Sequence, residues 1–195
     1  MSQALATTDD TQVAGIAAEN QDDFVTFTIK GQLFGIPVLN VQDILTPSKI
    51  AAVPLAPPEI RGSINLRGRI VTVIDVRIRL GMESLDEELA KKDEKNETAE
   101  KDEGAEKKIS IVKEKRPQQM GVTVENQNEL YTLLVDAIGD VISVEKDRFD
   151  SNLNTLDPAW REFSSGVCRL DDRLMVVFDV ERLLDIKIKQ KKADQ

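Results

Sequence analysis

The 195-residue sequence contains no histidine and a single cysteine, Cys168. Without an imidazole, Ser-His-Asp and Cys-His activation of a nucleophile is excluded. The histidine-containing zinc sites go with it, and one cysteine cannot supply a Cys₄ site. Nor can it close an internal disulfide, so the composition calls for no oxidising compartment. Carboxylate pairs and Ser-Lys chemistry stay open. Aromatic residues are scarce at 4%, which leaves few stacking platforms for bases or sugars. The longest apolar runs are strand-sized, so no membrane span is predicted. The first 23 residues hold five acids and no Lys or Arg, unlike a secretory leader. The expectation is a cytoplasmic protein without direct membrane insertion.

What is present is acidic. The net charge is −9 and the pI about 4.7, which disfavours phosphate-driven binding to nucleic acid. The charge is unevenly placed. Residues 1–23 carry −5, residues 84–116 carry −2 and the remainder only −2. Residues 1–22 show no periodicity and read as a disordered acidic tail. Residues 84–116 hold 20 charged side chains among 33. That segment reads as a charged helix with pairs such as Glu87–Lys91, or as a flexible linker, with no face to bury in either case.

The two remaining blocks have β character. Val25, Phe27 and Ile29 alternate with Thr26 and Thr28, a half-buried strand. Lys30-Gly31 is a turn, and Leu33 to Val38 returns. Asn40 caps a predicted helical turn through Val41, Ile44 and Leu45. Arg61–Asn65 and Ile70–Ile74 flank a Leu-Arg-Gly turn, the second run reading as a buried strand. Shifted by 104, Gly62–Leu80 overlies Gly166–Leu184 with seven identities in nineteen positions. Shifted by 97, Leu33–Leu45 overlies Leu130–Ile142. Two registers in one order predict a duplicated unit. Each unit has about five short strands, and a small closed barrel protects its edges. The predicted fold is therefore mainly β: two small five-stranded barrels packed together, short helical turns and a C-terminal helix over 180–192. The organisation is a tail (1–22), a first barrel (23–83), a charged insertion (84–119) and a second barrel with its helix (120–195). Strand exchange between the barrels stays open.

No P-loop, G-x-G-x-x-G or EF-hand loop is present. No catalytic residue, cofactor site or metal site is predicted, so the chain reads as a non-enzyme. Asp75 and Asp179 occupy equivalent places in the repeats, each ending a strand before a helical turn. They read as structural caps rather than as a carboxylate dyad. Cys168 falls at an apolar strand position and reads as a buried thiol. Trp160 and Phe163 read as packing beneath the loop that enters the last hairpin, or as an interface hot spot. Arg61, Arg67, Arg69, Arg77 and Arg79 form a local basic strip. It is either a contact surface for an acidic partner or a set of strand-end arginines reaching water. Arg67 stands out in its tight turn, with Gly68 permitting positive φ. Asp43 would pair with Arg67 if the fold brings the two loops together.

These residues support a resemblance. Asp23–Phe27, Gly35–Ile36, Val41–Gln42–Asp43–Ile44, Ile60–Arg61–Gly62, Asn65–Leu66–Arg67–Gly68 and Val73–Arg77 together resemble the CheW family. This family couples receptors to kinase in bacterial chemosensory arrays. The resemblance covers about 23–82, resumes over Met120–Val144 and returns in the last hairpin through Leu184. It implies two SH3-like barrels and a non-catalytic adaptor in two-component signal transduction. The implied partners are methyl-accepting chemoreceptor signalling tips and the regulatory domain of a CheA-like histidine kinase. The implied place is the cytoplasm, recruited to membrane-associated arrays. The implied receptor-binding groove takes Val41, Asp43, Gly62 and Arg67, with Asn65 and Gly68 supporting the motif. Family members often carry Glu where this chain has Asp43, and most cross between the halves with far fewer residues. The alternative is a small β-barrel that binds nucleic acid or another acidic partner through the Arg61–Arg79 strip.

Overall fold

A computed structural model describes residues 20–47, 49–99, 117–151, 154, 156–171 and 173–186, the backbone alone over 94–99. The first block forms β1 (Gln21–Ile29), β2 (Gln32–Pro37), β3 (Val41–Leu45), β4 (Ile60–Leu66) and β5 (Arg69–Asp75). Two helices follow, α1 (Val76–Arg79) and α2 (Leu85–Ala99). The second block forms β6 (Met120–Asn126), β7 (Glu129–Val135), β8 (Ala137–Glu145) and the two-residue β9 (Phe149–Asp150). Then come α3 (Pro158–Arg161), β10 (Ser164–Arg169), β11 (Leu174–Phe178) and α4 (Val180–Leu184).

The strands build a six-stranded sheet ordered β8-β1-β2-β11-β10-β9 and a five-stranded sheet ordered β3-β6-β7-β5-β4. The sheets are two packed β domains and not the closed barrels expected from the strand count. In the five-stranded sheet no ladder joins the outer strands. The outer edge of β4 instead pairs with Ala51, whose N–H donates to Ser63 O and whose carbonyl accepts from Ser63 N–H, both at 2.8 Å.

The repeat appears as strand order. β4-β5-α1 and β10-β11-α4 are equivalent hairpin-plus-helix units, and β6-β7-β8 follows the order of β1-β2-β3. Each half gives its first two strands to the sheet of the other half. β2 lies parallel to β11 and β7 parallel to β5, whereas the sequential neighbours pair antiparallel. The division of the chain at the charged segment therefore does not divide the sheets.

One apolar core runs between the sheets. Phe27, Phe34 and Phe178 are wholly or almost wholly buried, with Phe34 stacked on Phe178 at 4.6 Å. Trp160 meets Phe34 edge-on at 5.6 Å, an arrangement that suits the ring quadrupoles. Burying each such ring contributes about 1.5–3 kcal/mol. The helical turn expected at Val41–Leu45 is replaced by β3, preceded by one 3-10 turn at Val38–Asn40. Val41 and Ile44 lie opposite Val124 and Val122 of β6. Ladder bonds and β-branched cross-strand packing outweigh the weak helical spacing there.

Asp75 and Asp179 act as the expected caps. Asp75 Oδ1 accepts from the N–H of Arg77 at 3.0 Å, and Asp179 Oδ1 from that of Arg182 at 3.1 Å. Burial pushes the Asp75 carboxyl above its ordinary range, against the backbone N–H of Ile78 and the nearby Arg61. Within the described residues the C-terminal helix is α4 alone, and 187–192 lie outside them. Arg79 finishes that helix, donating to the carbonyls of Leu183 (2.9 Å) and Asp185 (2.7 Å) while lying 4.5 Å over the Phe163 ring. The tail over 1–19 and the charged segment over 100–116 also lie outside the described residues.

The start of the charged segment does have a buried face, contrary to expectation. Ser84 and Leu85 are buried, and Ser84 and Glu87 exchange capping bonds at 3.0 and 3.3 Å. That reciprocal Ser-x-x-Glu arrangement satisfies two orphan donors and starts α2.

Cys168 is fully buried beside Met175 and Val177. Burial, with a contribution from Asp22, pushes its thiol up to about 11. The thiolate is the reactive form, so native protein at pH 8 is expected to resist iodoacetamide. Rapid labelling without denaturant, read by mass spectrometry, would contradict this.

Candidate functional site

The two-residue loop between β4 and β5 shapes the site. Arg67 has φ +51° and Gly68 φ +87°, so both central residues are left-handed. That is the geometry of a type I′ hairpin turn, which matches strand twist and normally favours Asn-Gly. An arginine there is held by its neighbour: the Asn65 side-chain carbonyl accepts from the Gly68 N–H at 2.8 Å. The guanidinium is thus fixed at its root and 80% exposed at its side chain.

Across the sheet, β3 presents Asp43. Its Oδ2 lies 2.8 Å from Arg67 NH2, and its Oδ1 accepts from the Ile44 N–H at 2.9 Å. The shorter aspartate therefore reaches the arginine. The pair links one edge strand to the turn at the other edge of the same sheet, where no ladder joins them.

Beside β4 lies an open groove of about 610 Å³. Leu45, Pro47, Ile64, Leu66 and Ile70 supply its apolar lining. Ile70 is 83% exposed, which corrects the reading of Ile70–Ile74 as wholly buried. Ile44 is also exposed. Of the residues lining the groove, the sequence places only Asn65 at the site, as support of the motif, and none of the apolar ones. The signal was available, because β5 alternates around Thr72 and places Ile70 opposite in face to Val71.

The other expected groove residues make no part of the ion pair. Val41 is half-buried against the main core. Gly62 lies at the far end of β4 with φ +150°, and a Cβ there would stand 2.3 Å from the Ala51 carbonyl oxygen. Its place is to let the segment around Ile50 and Ala51 close on β4. Gly62→Val is expected to destabilise the protein by about 2–4 kcal/mol through strain and steric clash. A denaturation midpoint within error of wild type would refute this.

The basic strip is not continuous. Arg61 pairs with Asp86, Arg77 is buried between carboxylates, and Arg79 is committed to α4. Arg67 and Arg69 remain at the surface. The nucleic-acid alternative loses the surface it required. Among the described residues no group of three or more Cys, Asp or Glu could hold a metal, and no helix is long and apolar enough to cross a membrane.

The CheW-like domain model matches residues 23–187. This chain belongs to the CheW-like domain family. CheW-like proteins are non-catalytic chemotaxis scaffolds, and the chain is one of them. It is 27% identical over 166 residues to a probable chemotaxis protein CheW of Rhizobium etli, covering 84% of this chain and 89% of the relative. It is 24% identical over 182 residues to chemotaxis protein CheW of Treponema pallidum, covering 90% and 89%. The crystal structure of scaffolding protein TtCheW from Thermoanaerobacter tengcongensis superposes with a TM-score of 0.63 at 22% identity, covering 85% of this chain and 94% of that one. That superposition agrees with two packed β domains.

Proposed function

We propose that this protein couples chemoreceptor signalling tips to the regulatory domain of a CheA-like histidine kinase. It does so on the cytoplasmic side of a membrane-associated array. The observation that carries the receptor half is the Asp43–Arg67 pair standing beside the exposed apolar groove of the five-stranded sheet. A helical tip lays an apolar stripe into such a groove, while a fixed charge at its rim sets register. Val41 and Gly62 serve this surface indirectly, one by anchoring β3 and the other by admitting the Ile50–Ala51 segment. The kinase takes a second surface. Engaging both at once raises the effective concentration of kinase at the receptor. Signal transfer is then a shift in kinase populations within the assembly.

The test is a pull-down of the full chain with a receptor signalling tip and, separately, with a kinase regulatory domain. Retention by both is expected. Retention by neither overturns the proposal, and retention by the kinase alone overturns its receptor half.

A further inference from the structure

Asp136 is the only residue between β7, in the five-stranded sheet, and β8, in the six-stranded sheet. It is one of the two places where the chain crosses directly between the β domains, the other being the 3-10 turn Val38–Asn40 between β2 and β3. Arg77 grips it with two parallel bonds, Nε to Oδ1 and NH2 to Oδ2, both at 2.6 Å. The Asp136 Oδ2 also accepts the Lys30 backbone N–H at 2.7 Å, and the Asp136 N–H donates to Thr28 O at 3.1 Å. Those two residues belong to the β1–β2 hairpin of the six-stranded sheet. The Arg77 side chain is only 4% exposed, and it follows β5 of the five-stranded sheet. The crossover is thus tied to both domains.

The third arm of Arg77 reaches outside the sheets. Its NH1 lies 2.6 Å from Glu88 Oε2, on α2 of the charged segment. Glu88 in turn takes Lys92 at 2.7 Å. A second strut runs alongside: Glu83 receives Lys91 at 2.5 Å and Lys30 at 3.2 Å. Lys30 is therefore held by its amide to the crossover and by its ammonium to Glu83, immediately before the charged segment.

We infer that Glu88 is a positioning residue. Through Arg77 it holds Asp136 and so lets α2 brace the relative placement of the two β domains. The charged segment begins as a docked strut. A planar guanidinium held by two carboxylates has one geometry in which all its bonds are satisfied. Removing one carboxylate frees the guanidinium to turn, and the grip on the other loosens. The consequence for array assembly rests on the scaffold reading; the coupling itself does not.

The experiment is hydrogen exchange on the full-length chain, comparing wild type, Glu88→Gln and Lys92→Ala. Glu88→Gln removes the negative charge that faces Arg77 and keeps a side chain of the same size in place. The expected result is exchange at least about tenfold faster at the amides of Lys30 and Asp136 as well as in α2, because local opening there no longer breaks a closed network. Lys92→Ala leaves Glu88 facing Arg77 and is expected to leave those two amides at wild-type rates. Acceleration confined to α2 would overturn the inference, since the helix would then be a passenger. Equal acceleration by Lys92→Ala would also overturn it, by assigning the effect to helix stability. Neither readout involves a receptor or kinase, so the coupling stands or falls apart from the scaffold proposal.

Discussion

Arg77→Ala is expected to cost about 3–5 kcal/mol of folding stability, the largest effect of any single substitution proposed. The intact cluster is no measure of that number. A buried ion pair recovers its desolvation cost only in part, so its net worth is small. Truncating the cation is different. It leaves the carboxylates of Asp136 and Glu88, both partly buried, facing each other and a cavity. Urea denaturation of Arg77→Ala checks the size. The triple change Arg77→Met, Asp136→Leu, Glu88→Gln separates the causes. It removes every formal charge of the cluster and is expected to recover most of the loss. A triple variant as unstable as Arg77→Ala would place the cost in lost shape rather than in stranded charge.

The same cluster gives a pH dependence with a fixed sign. Lys92 and then Arg77 hold the Glu88 carboxyl down to about 2, against the opposing effect of its partial burial. A carboxylate held lower in the folded than in the unfolded state stabilises the fold above the unfolded value, near 4.5, and loses that contribution as pH falls toward 2. Wild type is therefore expected to lose stability between about pH 5 and pH 2 more steeply than Glu88→Gln. Parallel acid-denaturation curves would contradict the assignment.

The structure also separates what the residues announce locally from what only the tertiary fold reveals. The caps at Asp75 and Asp179, the Arg67-Gly68 turn and the buried thiol follow from neighbours a few residues away. All were readable from sequence. The duplication was readable too, because two registers repeat in one order. The exchange of β1-β2 and β6-β7 between sheets was not, since parallel pairing of β2 with β11 leaves no local mark. Closure into barrels was inferred from strand count, yet the edge of β4 is occupied by Ala51 and needs no ladder. Arg77 illustrates the limit most sharply. In the sequence it is one of five arginines in a basic strip. Its burial depends on Asp136, 59 residues away, and on Glu88 in a segment that composition alone marks as solvated. Charge density along the chain does not disclose which carboxylate folds inward.

Arg67→Glu is expected to weaken receptor-tip binding by about 30- to 1000-fold while leaving the fold intact. Its side chain is 80% exposed, so the new carboxylate is solvated and the core is untouched, and the cost is confined to the local repulsion with Asp43. Glutamate meets the same left-handed backbone at position 67 that arginine already tolerates. Binding responds differently. An arginine at the rim of an apolar groove, fixed at its root by Asn65 and Gly68, has the features of an interface anchor worth about 2–4 kcal/mol. Reversing its charge also sets it against Asp43 at 2.8 Å in the wild-type geometry, and like charges that close drive the turn and β3 apart. The reciprocal variant, Asp43→Arg with Arg67→Glu, restores attraction between the two elements but presents inverted charge to the partner. If Arg67 acts only by tying β3 to the turn, the double variant recovers binding in full. If it also contacts the receptor, the double variant recovers only part, and titration calorimetry against the receptor tip distinguishes the two. Unchanged binding of Arg67→Glu would remove the ion pair from the receptor surface altogether.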